Sequence, residues 1–136
     1  LDGATVVDLG MVLVGADSIS ESDFVNKVGT YALALAAREA DVPFYVAALT
    51  DKLIPEGIRG RPDRIWDPSE VLDGPPSGVA VENHYFERTP LSLVSGIITE
   101  RGLLSPKDVP ERISEEPVSP ALLGLLFPRA ADRASP

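Results

Sequence analysis

Three polar side chains near the start of the chain have the types that acid–base chemistry and anion binding require. Asp17 follows the apolar run "VLVGA", and Asn26 and Lys27 precede a stretch of small and apolar residues. A carboxylate at the end of a buried strand can act as a general acid or base where an enclosed site raises its pKa. A lysine beside the free N–H groups of a helix start is suited to bind an anion such as phosphate.

Each of these residues also has an ordinary structural interpretation. A carboxylate that follows a strand commonly caps a loop or a helix, and a lysine at a helix start is commonly solvated. Spacing alone leaves both interpretations open for Asp17 and for Lys27. The sequence around them contains no glycine-rich nucleotide-binding motif.

The chain has no cysteine and one histidine. Thiol catalysis and cysteine-ligated zinc are therefore excluded within these residues, and a histidine-based metal site is not expected. We expect neither a metal nor an organic cofactor.

Apolar runs predict a β-α-β unit around these residues. Met11–Val14 and Phe44–Leu49 are typical of strands that are buried in a parallel sheet. Between them, Phe24–Asp41 has the length of a helix and is apolar nearly all round, which predicts burial between two layers. Ligands of such α/β sheets bind beyond the carboxyl ends of the strands, which is where this arrangement places Asp17.

The second half of the chain has weaker signals. Val79–Glu82 and Ile97–Thr99 are predicted strands, and Thr89-Pro90 predicts the start of a short helix at Leu91–Ser95. Glu100 and Arg101 are expected to form a solvated ion pair. Proline is frequent after Leu104, with a weak helical pattern at 120–127. We therefore divide the chain into an α/β domain (1–104) and a Pro-rich carboxyl-terminal tail (105–136).

The overall composition limits the class of partner. The 136 residues carry 12 Lys and Arg against 21 Asp and Glu, a formal charge of −9. This balance argues against direct nucleic-acid binding, which needs clustered basic residues. No apolar run approaches the ~18 residues of a membrane span. We expect a cytoplasmic protein that does not bind a membrane.

Six short motifs, in order, resemble the carboxyl-terminal half of the translation initiation factor 2B alpha/beta/delta family. They are "VLVGADSI", "NKVGTYALALAA", "VPFYVAA", "DPSEV", "NHYFERTP" and "IITERG". That family includes archaeal ribose-1,5-bisphosphate isomerase and methylthioribose-1-phosphate isomerase. The resemblance implies a Rossmann-like α/β fold, with a mostly parallel sheet flanked by helices, that dimerises through this half.

The resemblance also implies roles for the three polar residues. Asp17 is the expected catalytic acid/base of an aldose–ketose isomerisation, and Asn26 and Lys27 are the expected contacts to a phosphorylated sugar. The family's catalytic cysteine belongs to an amino-terminal half that these residues do not include. We therefore expect the chain to be inactive without that half. Two departures from the commoner "NPxFDxTP" pattern are His84 and Glu87, which replace Pro and Asp.

Several alternatives stay open at this point. The motifs "GADSI", "TDKLIPEG" and "DPSEV" favour the ribose-1,5-bisphosphate isomerase branch. A non-catalytic regulatory subunit would keep the same phosphosugar pocket, and a catalytic cysteine in the amino-terminal half would distinguish an enzyme from it. A structural dimerisation domain is the third possibility. The number of apolar segments predicts a homodimer or a larger homo-oligomer.

Overall fold

The computed structural model describes residues 10–58 and 65–115, which form two β-sheets and two α-helices. In chain order the elements are β1 (Val12–Gly15), β2 (Ser18–Ile19), β3 (Asp23–Lys27), α1 (Thr30–Glu39), β4 (Phe44–Ala47), β5 (Phe86–Pro90), β6 (Gly96–Thr99), β7 (Gly102–Leu104) and α2 (Val109–Glu115). Short 3-10 helices lie in the connections, at Thr50–Lys52, Glu56–Ile58, Pro68–Glu70, Leu91–Leu93 and Pro106–Asp108.

The larger sheet has the strand order β1-β4-β6-β7. The first three strands are parallel, with Leu13 opposite Tyr45 and Tyr45 opposite Gly96, and β7 is antiparallel to β6. The predicted β-α-β unit is confirmed, because α1 lies between the parallel strands β1 and β4 in the chain, with the antiparallel pair β2 and β3 inserted before the helix. The mostly parallel sheet with flanking helices is also the fold class that the sequence predicted.

The smaller sheet, β2-β3-β5, is antiparallel and was not predicted. Its central strand β3 covers residues that the sequence assigned to the first turns of a long helix, so that part of the prediction is wrong. In this segment Phe24 pairs with Ile19 on one side and with Thr89 on the other. Pairing with strands on both sides outweighs the helix-like composition of the segment, and the helix begins only at Thr30.

Phe24 and Phe44 connect the two sheets in the core. Their ring centroids are 6.4 Å apart, and both side chains are fully buried. The other core side chains of the two sheets and the two α-helices are aliphatic: Val12, Ile19, Ala34, Ala37, Val46, Ile97, Val109 and Ile113. The connections add Val42, Leu53, Leu91, Leu93 and Val94. The end of β3 that follows Phe24 is therefore attached to the parallel sheet.

Helix α1 has one buried face. Its buried residues are Thr30, Ala34 and Ala37, whose spacing places them on the side that faces the sheets. Tyr31 is 40% exposed and Ala32 is exposed. The expectation that this helix is buried between two layers is therefore wrong for the part of the chain that the structure describes.

Among the later elements, the strand at Ile97–Thr99 is confirmed as β6, and the predicted short helix begins at Leu91 as a 3-10 helix. The strand predicted at Val79–Glu82 is wrong, because these residues pair with no strand in the described part of the chain. Helix α2 was not predicted, yet it buries Val109 and Ile113. The pattern at 120–127 lies outside the described residues. No helix within residues 10–58 and 65–115 is long and apolar enough to cross a membrane.

Candidate functional site

Asp17 lies in the bend that connects β1 to β2, just beyond the carboxyl end of β1. Its side chain is exposed, and its N–H donates to the carbonyl oxygen of Val25 at 2.8 Å. This hydrogen bond fixes the backbone of Asp17 beside the peptide group that joins Val25 to Asn26. The position beyond a parallel strand agrees with the sequence analysis, and the catalytic role of Asp17 stays a prediction.

Asn26 lies on β3 and is directly opposite Glu87 of β5. Residues that are opposite each other in an antiparallel pair point to the same face, with Cβ atoms roughly 4.5–5.5 Å apart. Asn26 is half-buried. The structure thus brings Asp17, Asn26 and Glu87 together at one end of the smaller sheet.

Glu87 caps helix α1 from a distant strand. Its Oε1 accepts hydrogen bonds from the N–H groups of Gly29 and Tyr31, both at 2.8 Å. The N-cap residue of the helix is Gly29, which has no side chain to do this. A carboxylate at this position is favoured because the helix dipole is positive there.

This contact argues against one of the two interpretations that the sequence left open, a free anion site at the start of α1 next to Lys27. Two of the N–H groups that a phosphate would use already donate to Glu87. Sequence reasoning missed Glu87 because it lies 58 residues from Gly29. Its only local signal was its departure from the family pattern.

Lys27 is the last residue of β3 and not the first of a helix. Its Nζ lies 4.0 Å from the ring centroid of Phe86 and 4.9 Å from that of Tyr85. Ammonium groups at these distances are attracted to the faces of aromatic rings. Because successive residues of a strand point to opposite faces, Lys27 and Asn26 lie on opposite sides of the smaller sheet.

The rings beside Lys27 belong to a polar and aromatic cluster formed by residues 66–70 and 83–86. Trp66 stacks on Tyr85 with 4.4 Å between ring centroids. The Tyr85 hydroxyl donates to Glu70, and Asn83 Nδ2 donates to Glu70 Oε2 at 3.1 Å and to the Asp67 carbonyl at 2.9 Å. The hydrogen bond to Glu70, assisted by partial burial and by the Glu70 charge, raises the pKa of Tyr85 above its usual 10.0.

Glu100 lies just beyond β6 and does more than form an ion pair. Its carboxylate accepts from the Thr50 N–H at 2.9 Å and from the Thr50 hydroxyl at 2.6 Å, and Arg101 Nε lies 3.6 Å away. The hydrogen bonds from Thr50 lower the pKa of Glu100 below its usual 4.5. Glu100 therefore holds the connection that follows β4 against the end of β6.

Two surface clefts in the described part of the chain lie away from Asp17. One, of about 290 Å³, is lined by residues between α1 and β6, including Arg38, Asp41 and Ser95. The other, of about 320 Å³, lies between β7 and α2. Within residues 10–58 and 65–115, no group of three or more His, Asp or Glu side chains is placed to hold a metal ion.

Residues 3–106 match the family model of the initiation factor 2 subunit family. Two curated relatives are methylthioribose-1-phosphate isomerases. The protein from Maridesulfovibrio salexigens is 47% identical over 103 residues, which are 70% of this chain and 30% of the relative. The protein from Acaryochloris marina is 40% identical over 115 residues, which are 78% of this chain and 32% of the relative. The chain thus spans about 30% of the length of these relatives.

Solved structures with the same fold include an isomerase and an initiation-factor subunit. The 5-methylthioribose 1-phosphate isomerase of Pyrococcus horikoshii aligns with a TM-score of 0.68 and 35% identity, over 82% of this chain and 35% of its own. Subunit delta of translation initiation factor eIF-2B from A. fulgidus aligns with a TM-score of 0.67 and 29% identity, over 84% of this chain and 38% of its own. The fold alone therefore does not separate the two functions.

Proposed function

Since this chain belongs to the initiation factor 2 subunit family, we propose that it forms the carboxyl-terminal, phosphosugar-binding part of an aldose–ketose sugar-phosphate isomerase. The observation that supports this most is the identity of 47% and 40% to two proteins named as such isomerases. Because the chain spans only about 30% of their length, the complete reaction needs residues that lie outside this chain.

The names of the relatives favour methylthioribose 1-phosphate as the substrate. The motifs "GADSI" and "DPSEV" led us to expect ribose 1,5-bisphosphate instead. Both compounds are phosphorylated pentose derivatives, so the same reaction type serves either one. An assay of both sugars distinguishes them.

In this proposal Asp17 is the acid/base of an isomerisation in which the carbonyl group moves between adjacent sugar carbons. Asp17 transfers a proton in this reaction, whether the carbon-bound hydrogen itself moves as a proton or as a hydride. Its carboxylate lies beyond the carboxyl end of β1, where ligands of α/β sheets bind. Asn26 is next to it across the smaller sheet and contacts the sugar. Asp17 is exposed in the described structure, so enclosure by the remainder of the protein would supply the dry surroundings that such chemistry requires.

A regulatory subunit is the second candidate function. The observation that favours it is the TM-score of 0.67 to an initiation factor 2B subunit. Such a subunit would bind a phosphorylated ligand without turnover. The higher sequence identity to isomerases favours the enzyme.

We further propose that the protein is a cytoplasmic homodimer or larger homo-oligomer. One face of the larger sheet supports an oligomer, because Leu13, Ile98 and Leu103 are 55%, 42% and 68% exposed there. Exposed apolar surface of this kind is typical of interaction sites. Light scattering at high protein concentration tests it, and a monomeric mass would contradict it.

The central experiment measures isomerisation of methylthioribose 1-phosphate and ribose 1,5-bisphosphate by the full-length product of the gene that encodes this chain. Asp17→Asn should lower kcat by about 10²–10⁴-fold, the range for loss of a general acid or base. Asp73→Asn, a change at another exposed aspartate, is the control and should leave kcat unchanged. Turnover that persists in Asp17→Asn would end the catalytic role of Asp17.

Ligand binding separates the enzyme from the regulatory subunit. Binding of either sugar phosphate without turnover in the unaltered protein would favour the regulatory function. Lys27→Ala should weaken this binding, as measured by calorimetry, whereas Lys107→Ala at another exposed lysine should not. Equal affinities for Lys27→Ala and the unaltered protein would remove Lys27 from the site.

A further inference from the structure

We propose that Glu87 is a positioning residue for this site, because its carboxylate fixes the end of β3 against the first turn of α1. The proposal rests on the function proposed above. It gives a role to Glu87, which the sequence analysis had noted only because Glu87 departs from the family pattern. Glu87 does not need to touch the sugar for this role, since it acts through Asn26.

The first observation is the reach of the Glu87 carboxylate. One oxygen accepts from two N–H groups, those of Gly29 and Tyr31, at 2.8 Å each. Hydrogen bonds to an ionised group are shorter and roughly twice as strong as those between neutral groups. Glu87 therefore anchors the helix start to β5, a strand that is far from it in sequence.

The second observation is that the same residue is paired with Asn26. Glu87 and Asn26 are opposite each other in the β3–β5 ladder, while the Thr30 hydroxyl donates to the Lys27 carbonyl at 2.6 Å. The segment from Asn26 to Tyr31 is thus held by Glu87 at both of its ends.

The Asp17 N–H donates to the carbonyl oxygen of Val25, the residue that directly precedes this segment. A shift of the end of β3 would therefore change the position of Asn26 relative to Asp17. Active-site groups must be held within roughly 0.5 Å of their working positions, and a misplacement of about 1 Å can lower the rate about 10²-fold. A change at Glu87 should thus affect turnover although Glu87 is not part of the chemistry.

A simple helix cap would not have this arrangement. Caps usually come from the N-cap residue itself, whose side chain accepts from an N–H two or three residues later. Here the N-cap position is Gly29, with φ of 101°, and the cap is supplied across the sheet. The contact therefore links the start of the helix to the strand pair that carries Asn26.

The test compares Glu87→Gln and Glu87→Asp in the full-length gene product. Glu87→Gln removes the charge and should lower kcat at least 10-fold, with a smaller change in KM. Glu87→Asp keeps a carboxylate, as in the family pattern, and should recover part of that loss. Glu39→Gln, an exposed change at the other end of α1, should match the unaltered protein. A lower melting temperature with unchanged kcat in Glu87→Gln would overturn the proposal.

Amide hydrogen exchange of residues 26–31 gives a reading that needs no activity. We expect faster exchange in Glu87→Gln than in the unaltered protein, and unchanged exchange would also overturn the proposal. If the unaltered protein neither binds nor converts a sugar phosphate, the proposed isomerase function fails. The exchange result then still decides whether Glu87 fixes the end of β3.

Discussion

Phe24 and Phe44 provide a direct test of how the small sheet is fixed to the parallel sheet. Their rings are tilted by 40° with centroids 6.4 Å apart, and their exposed fractions are 0% and 1%. Phe24 precedes Asn26 by two residues on β3. If this pair joins the two sheets, replacing either ring should lower the free energy of unfolding and loosen the candidate site.

The magnitude follows from the geometry of the pair. A buried Phe→Ala change typically costs about 3–5 kcal/mol, which is a large share of the roughly 5–15 kcal/mol that stabilises a domain. Phe→Leu is therefore the better perturbation, and each single variant should lose about 1–1.5 kcal/mol. The ring–ring contact itself should contribute a coupling energy of about 0.5–1.5 kcal/mol.

Urea unfolding of Phe24→Leu, Phe44→Leu and the double variant measures this coupling energy. Val79→Ala is the control, because Val79 is 50% exposed and its replacement should stay within about 0.5 kcal/mol. If the two losses add to within about 0.3 kcal/mol, the rings are independent. That result would refute the claim that this contact joins the sheets.

Three further predictions concern the hydrogen bonds of Glu100, the turn at Gly29 and the hydrogen bond between Glu70 and Tyr85. The lowered pKa of Glu100 means that its hydrogen bonds from Thr50 stabilise the fold above pH 4.5, and that this stabilisation is lost as the pH falls through the lowered value. In Glu100→Gln the free energy of unfolding should therefore depend less on pH on the acid side. An unchanged dependence would contradict this. Gly29→Ala should cost about 1–2 kcal/mol in denaturation experiments, because φ is 101°, and no loss would argue against that turn. Glu70→Ala should return the raised pKa of Tyr85 towards 10.0 in an NMR titration; an unchanged value would exclude Glu70 as the cause.

The parallel strands could be predicted from the sequence because their signals are local. "MVLV" and "FYVAAL" are apolar without interruption, a pattern that predicts strands covered on both faces of a parallel sheet. The strands are confirmed, but coverage on both faces is not: in the described part of the chain one face leaves Leu13 55% exposed. The helix between them has small apolar residues, and the order β-α-β follows. Nothing in that inference needs a contact between distant parts of the chain.

The segment Asp23–Lys27 could not be assigned in the same way. Its composition continues into the helix without a break, and five residues are too few for hydrophobic periodicity to separate a strand from a helix. Its partner β5 is about 60 positions further along the chain. Gly29 was the available signal, since a positive φ permits the turn from the strand into the helix.

The same correction changes the interpretation of the site. A helix start would have placed Asn26 and Lys27 side by side on one anion, whereas a strand places them on opposite faces. Asn26 then shares its face with Glu87 and lies near Asp17, while Lys27 lies over Phe86 and Tyr85.

It follows that the two residues cannot be interchangeable contacts to a single phosphate. A loss at Asn26 should act mainly on turnover, because Asn26 adjoins the proposed acid/base. Loss of the Lys27 side chain should mainly weaken affinity, because Lys27, unlike Asn26, carries a positive charge that attracts the phosphate. If Asn26→Ala and Lys27→Ala had equal effects on both kcat and KM, the two residues would act as contacts to the same group. That result would contradict the separate roles inferred from their opposite faces on β3.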